Sequence, residues 1–485
     1  GLINALNGLM AARCEGAKVV LISGSTAPSQ RGRHAFQETS PEAMPAGTFG
    51  AGPLFHYAAE IRQASQLPTI ANRLREGFAR PQGFVAHLAV PASVQPRRWK
   101  TVAHPGLIGQ TVPVTLSEAA AKRYANLFTS ESLVIWIGFG ARHHADAIRR
   151  LAERTGARVI CSPRGKGIFP EKHPLFLGVT GFAGHTAVDD WLSKNPPSHT
   201  LVLGTRLSEF TSLWNAHLVP TESFIHVDID AEAAGAAFPE VQTESVRMEA
   251  GEFLNAVIKH LPISMAEKPH SLRPTSPKPS MEPREGLVRP QYLMSAIQHV
   301  AVDGSNAPIL VDVGNSFAWT TNLLRFSAPG RFRVSTGWAS MGHATAGVVG
   351  AAIATGSKVL AIVGDGAMLM QHEISTAVRY RARATWIILN DSQYGMIEQG
   401  MSAHGLTPLE TQFPKTDFVG MARSLGANGI TVENEAELCD ALQLGLDAHG
   451  PFVIDVQIDN REKAPIIGRV QKLMEHGEDE GDGES

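Results

Sequence analysis

The stretch Val359–Met396, VLAIVGDGAMLMQHEISTAVRYRARATWIILNDSQYGM, decides how this chain folds. An apolar run, Val359–Val363, ends at Gly364-Asp365-Gly366. A helical pattern over His372–Arg381 follows, and a second apolar run, Thr385–Leu389, ends at Asn390-Asp391. Short buried-type runs separated by helix-period sequence read as parallel strands joined by a crossover helix. Such a unit brings both strands' carboxyl ends to one sheet edge, where open α/β sheets bind ligands. Asp365 and Asp391 are therefore expected at one spot. Glycines beside Asp365 permit close approach of an anion to the backbone. Carboxylate oxygens suit a hard cation such as Mg2+ shared with a diphosphate. A GDG turn or an Asn-Asp turn alone is an ordinary loop sequence; their placement at the ends of consecutive strands is what points to a site.

The same alternation extends outward through most of the chain. Val19–Ser23, Val85–Val90, Leu133–Gly138, Arg158–Cys161, Leu201–Leu203 and Ile225–Ile229 read as strands, as do Ile309–Val313 and Phe452–Ile458. Helical sequence lies between them, as over Ala141–Thr155. The class is α/β, with three consecutive parallel-sheet domains expected. Pro91–His104, with Arg97, Arg98 and Lys100, reads as a linker. Pro262–Pro283, rich in proline, reads as a semi-rigid connector. The expected blocks are 1–98, 99–262 and 286–470, with a linker over 263–285 and an acidic tail over 471–485.

Composition removes several function classes. The 485 residues carry 43 Lys and Arg against 46 Asp and Glu, a net charge of −3 that makes no electrostatic footprint for nucleic acid. Cys14, Cys161 and Cys439 lie far apart without CxxC spacing, which argues against a disulfide framework or a zinc ribbon and fits a reducing, cytoplasmic setting. His143-His144 lacks a companion ligand, so zinc is not expected. The longest uncharged run, Val334 to Ser357, is too polar to cross a bilayer. The chain opens on Gly1 inside an amphipathic pattern without a signal peptide, the expectation for a fragment.

Two further motifs flank the central stretch. Val313–Phe317 (VGNSF) follows a strand, and Trp338–His343 reads WASMGH. Locally, VGNSF is equally an Asn-Ser helix cap, and a lone Met is usually core filler.

Together these motifs resemble those of the thiamine-diphosphate-dependent 2-oxo acid decarboxylases and carboligases, acetolactate synthases in particular. Ala35–Thr39 (AFQET), Ser162–Pro174 (SPRGKGIFPEKHP) and Phe224–Asp230 (FIHVDID) resemble segments of that family, and the likeness covers nearly the whole chain. It implies pyrimidine-binding, central and diphosphate-binding domains, and a homodimer or homotetramer with active sites between subunits. It implies thiamine diphosphate and Mg2+, with Asp365 as first metal ligand, Asp391 as second (Asn390 the fallback) and the main-chain oxygen of Gln393 as third. Asp391 stands where the family has Asn.

Cofactor contacts are implied for Asn4, Gly314, Asn315, Ser316, Phe317, Ala339, Gly364, Gly366, Ala367, Tyr394 and Met396. Met341 resembles the wedge that brings the two cofactor rings together, a proximity role. Phe36 and Gln37 are implied to face substrate from the neighbouring subunit, joined by Gln399 and Gly400. For Asn4 and Gln37 an ordinary surface role fits equally. The family's activating Glu falls upstream of residue 1, because neither Glu15 nor Glu38 is in register, so the chain as given is expected to be poorly active or inactive.

The implied reaction is decarboxylation of a 2-oxo acid, aryl or otherwise large ones included, with carboligation to a second carbonyl compound. Gly400 replaces a Trp of the synthases and implies a larger acceptor. A non-ligating decarboxylase of benzoylformate or indolepyruvate type, or an inactive cofactor-binding relative, are the alternatives. FAD is not favoured: Gly138-Phe139-Gly140 lacks a third glycine, although Arg206 stands where relatives contact flavin. His343, His372 and His404 fall near the expected cleft as proton-relay candidates.

Overall fold

The structure, a computed structural model, describes residues 1–100, 114–263, 282–370, 373–466 and 468. Most of the expected 263–285 connector, the acidic tail, the end of the Pro91–His104 linker and His372 lie outside the described residues.

The chain forms two compact units, Gly1–Pro113 with Thr336–Ser340, and Val114–Ser335 with Met341–Ser485. The first contains β1 (Lys18–Ser25), β2 (Tyr57–Glu60) and β3 (Phe84–Pro91), all parallel and ordered β1-β3-β2. The helix Leu2–Cys14 packs on this sheet through a cluster of Leu9, Phe55 and Val85. Glu15, just past that helix, accepts the N–H groups of Thr336 at 2.9 Å and Gly337 at 2.7 Å, and Asn7 accepts the Trp338 indole N–H at 2.8 Å. These bonds attach the 336–340 loop to the first unit.

The second unit holds two six-stranded parallel sheets. One consists of β4 (Leu133–Ile137), β5 (Arg158–Cys161), β6 (Phe176–Val179), β7 (His199–Leu203), β8 (Ser223–Asp228) and β9 (Thr243–Arg247), ordered β6-β5-β4-β7-β8-β9. The other consists of β10 (Ile309–Val311), β11 (Phe332–Val334), β12 (Val359–Gly364), β13 (Ala384–Asn390), β14 (Asn428–Val432) and β15 (Phe452–Gln457), ordered β11-β10-β12-β13-β15-β14. The α/β class with three parallel sheets is as expected. The central strands are apolar on both faces because helices cover both, so β12 and β13 bury almost every side chain.

Several element limits differ from the sequence expectation. The helix expected from Ala141 begins at Ala145, because Phe139–Ala141 forms a 3-10 turn. A Cβ on Gly140 would sit 2.7 Å from the Gly204 Cα, so the chain there is pinned to the turn after β7 before it can wind into a helix. The strand expected over Ile309–Val313 stops at Val311, where Asp312 turns its carboxylate onto another segment. The Leu133–Gly138 run loses Gly138 to the same turn, and Ile225–Ile229 ends at Asp228.

A buried ion pair joins the two sheets of the second unit. Lys166 Nζ donates to Glu171 Oε2 at 2.9 Å and to the carbonyls of Thr321 at 3.1 Å and Leu324 at 2.9 Å, with both charged side chains fully buried. The SPRGKGIFPEKHP segment thus clamps the end of the helix Asn315–Leu323.

Candidate active site

In the third sheet the chain lays down β10, moves to β11 on one side, and returns to β12 on the other. The crevice beyond the carboxyl ends of β10 and β12 is therefore a topological switch point. Gly314 follows β10 with φ 96°, a conformation open to glycine, and launches the helix Asn315–Leu323. The first N–H groups of a helix have no intrahelical partner and suit an anion.

Asp365 begins the helix after β12, and Asp391 follows β13 directly. The two strands pair in register up to Gly364 and Leu389, so the acidic residues leave the sheet at neighbouring points. Asp365 Oδ2 accepts the N–H of Asp391 at 3.2 Å and of Ser392 at 2.7 Å, while Oδ1 accepts that of Gly366 at 2.7 Å. Asp391 Oδ2 accepts from the Gln393 amide at 3.0 Å. Burial, and then the neighbouring Asp391 charge, push the Asp365 carboxyl up to about 7. Burial chiefly pushes Asp391 up to about 6. Two desolvated carboxyls meeting at one edge are costly as anions unless a cation joins them.

Asn390, the fallback ligand, ends β13 and is buried, and its amide N–H donates to Asp455 Oδ1 at 2.9 Å. Asn315 approaches from the β10 side. A methyl on Gly395 would lie 3.1 Å from both Asn315 Nδ2 and Asp391 Oδ2. Asn315 Oδ1 is buried without a hydrogen-bond partner. Among the described residues no cluster of three or more His, Cys, Asp or Glu forms a metal site. The donor set is instead two carboxylates with amides and backbone, hard oxygens that fit Mg2+ sharing its sphere with a diphosphate.

The other expected residues divide. A Cβ on Gly366 would be 2.8 Å from the Tyr394 ring, so the glycine lets Tyr394 lie across the GDG turn. Ala367 is buried beneath it and Met396 is packed against the core. Met341 is 38 % exposed. Ser316 donates to the carbonyls of Asp312 and Val313, and Phe317 is stacked with Phe210 and tilted against Phe182 in the core, so the side chains of both are occupied. Gln399, expected near substrate, is engaged within the chain: its amide donates to the Ala464 carbonyl at 2.7 Å and accepts its N–H at 3.1 Å. Gly400 has open space where a Cβ would point.

Residues 312–456 match the sequence model of the thiamine pyrophosphate enzyme C-terminal TPP binding domain, and residues 121–257 match that of the thiamine pyrophosphate enzyme central domain. The chain is similar to a Mycobacterium tuberculosis protein named "Putative acetolactate synthase large subunit IlvB2", 28 % identical over 96 % of this chain and 86 % of that one. It is 26 % identical to the acetolactate synthase isozyme 1 large subunit of Escherichia coli, over 96 % of this chain and 83 % of that protein. The chain belongs to the thiamine pyrophosphate enzymes, as an acetolactate synthase-like member.

Sequence reasoning missed one residue of this thiamine pyrophosphate enzyme that shapes the edge. Asp312, buried at the end of β10, accepts the N–H groups of Gly342 at 3.2 Å, Ala344 at 2.9 Å and Thr345 at 3.3 Å. It caps the helix His343–Thr355 from another strand and fixes the residues next to Met341. An acid closing an otherwise apolar strand, ILVDV, was its only signal.

In the enzyme's first unit Asn4 is exposed on the opening helix, and Ala339 has a left-handed φ of 51°. Phe36 is 90 % exposed and Gln37 adopts φ 50°. In the central sheet, Gly138 and Gly140 pack on Gly204 and Thr205 where β4 and β7 part, and Arg206 bonds Asp230 at 3.2 Å. Among the described residues no helix is long and apolar enough to cross a membrane.

Proposed function

We propose that this protein holds thiamine diphosphate through Mg2+ at the β10/β12 edge, decarboxylates a 2-oxo acid and ligates the remainder to a second carbonyl compound. The observation that carries this is the meeting of Asp365 and Asp391 at one desolvated edge, with the orphaned Asn315 oxygen beside them. Asp365, Asp391 and the Gln393 carbonyl would hold the metal. Gly314, Asn315, the first turn of Asn315–Leu323 and the Gly364-Asp365-Gly366 turn would hold the diphosphate. When bound, the cofactor supplies a nucleophilic carbon and a sink for the electron pair released with carbon dioxide. The chain's own residues do the positioning: Asp312 fixes the turn that carries Met341, and Tyr394 covers the GDG turn.

Open space at Gly400 supports an acceptor larger than those of the synthases that carry an indole there. Phe36 and Gln37 would face substrate from a neighbouring copy in a homodimer or homotetramer. No flavin is needed for this chemistry, and a cytoplasmic location fits three free cysteines.

Calorimetric titration of thiamine diphosphate in Mg2+ buffer tests the assignment. Asp365→Ala is expected to abolish metal-dependent binding and Asp391→Asn to keep it; the reverse order overturns it. Carbon dioxide release from a panel of 2-oxo acids, with and without an acceptor carbonyl, then separates ligation, simple decarboxylation and an inactive relative.

A further inference from the structure

The first unit has a cavity of about 750 Å³ at the carboxyl ends of β1 and β3. Parallel-sheet edges of this kind are where α/β units take ligands. Its wall is polar, with Ser25, Gln30, Gln37 and Gln95, and Phe36 stands at it as an exposed aromatic plate. Among the described residues Arg33 is the single charged side chain lining it.

The neighbouring carboxylates are already committed. Glu60 accepts from Arg31, from Arg62 at 2.6 Å and from Ser25 at 3.2 Å. Glu38 accepts from the Gly32 N–H at 3.0 Å and the Ser40 hydroxyl at 3.1 Å. Arg33 makes one long bond, 3.4 Å to the Ser29 carbonyl, and among the described residues no carboxylate pairs with it. A guanidinium facing a cavity offers a planar fork for a carboxylate, and the amides around it can bond a carbonyl or hydroxyl but cannot neutralise it. His34 and Gln37, on either side of Ala35-Phe36, hold left-handed backbone at φ 56° and 50°, an arrangement kept where a loop must present particular side chains.

We infer that this cavity binds a 2-oxo acid carrying a second carboxylate, with Arg33 reading the distal carboxylate and thereby selecting acidic substrates. The ligand class rests on the proposed 2-oxo acid chemistry; the anion preference rests on the cavity alone. A monocarboxylic acid of pyruvate size leaves most of the volume and, when its one carboxylate lies elsewhere, the guanidinium unused.

The test is calorimetric titration of the whole chain, without thiamine diphosphate or Mg2+, with 2-oxoglutarate, 2-oxobutyrate and phenylpyruvate. 2-Oxoglutarate is expected to bind about tenfold more tightly than 2-oxobutyrate, the scale of one charge-assisted contact. Arg33→Gln is expected to erase that difference while leaving the thermal midpoint unchanged, since Arg33 is exposed. Equal affinities in the parent, an Arg33→Gln variant that keeps the preference, tightest binding of phenylpyruvate, or no binding of 2-oxoglutarate at millimolar concentration would each overturn the inference. Because the cofactor and metal are left out, none of these results depends on whether Asp365 and Asp391 hold Mg2+.

Discussion

The carboxylate of Asp312 accepts the N–H of Ala344 at 2.9 Å, so the residue just past one strand caps a helix that begins beyond the next strand. Gly342 and Thr345 add their N–H groups to the same carboxylate, and its own neighbour Val313 donates at 3.0 Å. Two halves of the β10/β12 edge are thereby held by one side chain: the turn before Asn315 and the turn carrying Met341.

Removing that carboxylate strands several buried donors at once. Asp312→Ala is expected to cost about 3 kcal/mol or more, taking about 1–3 kcal/mol for each unsatisfied buried group and allowing for relaxation. Asp312→Asn, which keeps one acceptor oxygen, is expected to cost roughly half as much. Urea denaturation of both variants measures this, and a loss below about 1 kcal/mol for the alanine variant would show that the helix finds other caps.

The buried pair of Lys166 and Glu171 gives a second stability test. Glu171→Ala leaves an ammonium in the interior with only two backbone carbonyls, an expected loss of about 3–5 kcal/mol. Replacing both, as Lys166→Met with Glu171→Leu, removes the unpaired charge and is expected to recover much of that loss. A double variant no more stable than Glu171→Ala would mean that the pair contributes through the carbonyls it satisfies more than through charge.

What could be read from sequence follows burial. The meeting of Asp365 and Asp391 is legible because each directly follows a strand buried on both faces, and such strands announce themselves as apolar runs. The five strands that escaped notice, β2, β6, β9, β11 and β14, all lie at sheet edges. Most are short or only half-buried, as Thr243–Arg247 illustrates, so their sequences carry no continuous apolar signal. The uses of Asn390 and Gln399 were invisible for another reason: their partners, Asp455 and Ala464, each lie 65 residues away. Spacing within a motif says nothing about a bond to another strand or loop.

Lys358 supplies a pH test away from the site. It is buried at the start of β12, where Nζ donates to Thr385 Oγ1 at 3.0 Å and the Gly445 carbonyl at 2.8 Å. Burial, helped by the charge of Arg383, lowers its pKa to about 8. In the unfolded chain a lysine titrates near about 10.4. Between those values the unfolded state holds a proton that the folded state has released, so this group makes stability rise with pH, by at most about 1.4 kcal/mol per pH unit. Below pH 8 both states are charged and the full burial cost applies. Lys358→Met is therefore expected to match or exceed the parent at pH 7, while the Gly445 carbonyl keeps the Thr385 hydroxyl at 2.8 Å. By pH 10 the parent should have gained on the variant. Denaturation midpoints at pH 7, 8.5 and 10 check this, and a stability difference that does not change with pH would place the Lys358 ammonium in a better-solvated setting.

Gly400 tests the acceptor space directly. It sits inside the helix Gly395–Ala403, and a Cβ there meets nothing within 4 Å. Glycine in a helix interior is unfavourable by about 0.5–1 kcal/mol relative to alanine, so Gly400→Ala is expected to raise stability by that order. Gly400→Trp is expected to fold with an unchanged or higher thermal midpoint, because the side chain enters open space and overpacks nothing. If that space takes the acceptor, the indole fills it, and bulky acceptors should lose ground to small ones by about tenfold to a hundredfold, the scale of a filled pocket. Competition between a small and an aryl aldehyde acceptor, read as the product ratio in the parent, Gly400→Ala and Gly400→Trp, measures the change. A Gly400→Trp variant that keeps its stability and its product ratio would place acceptor binding elsewhere and detach substrate choice from this helix.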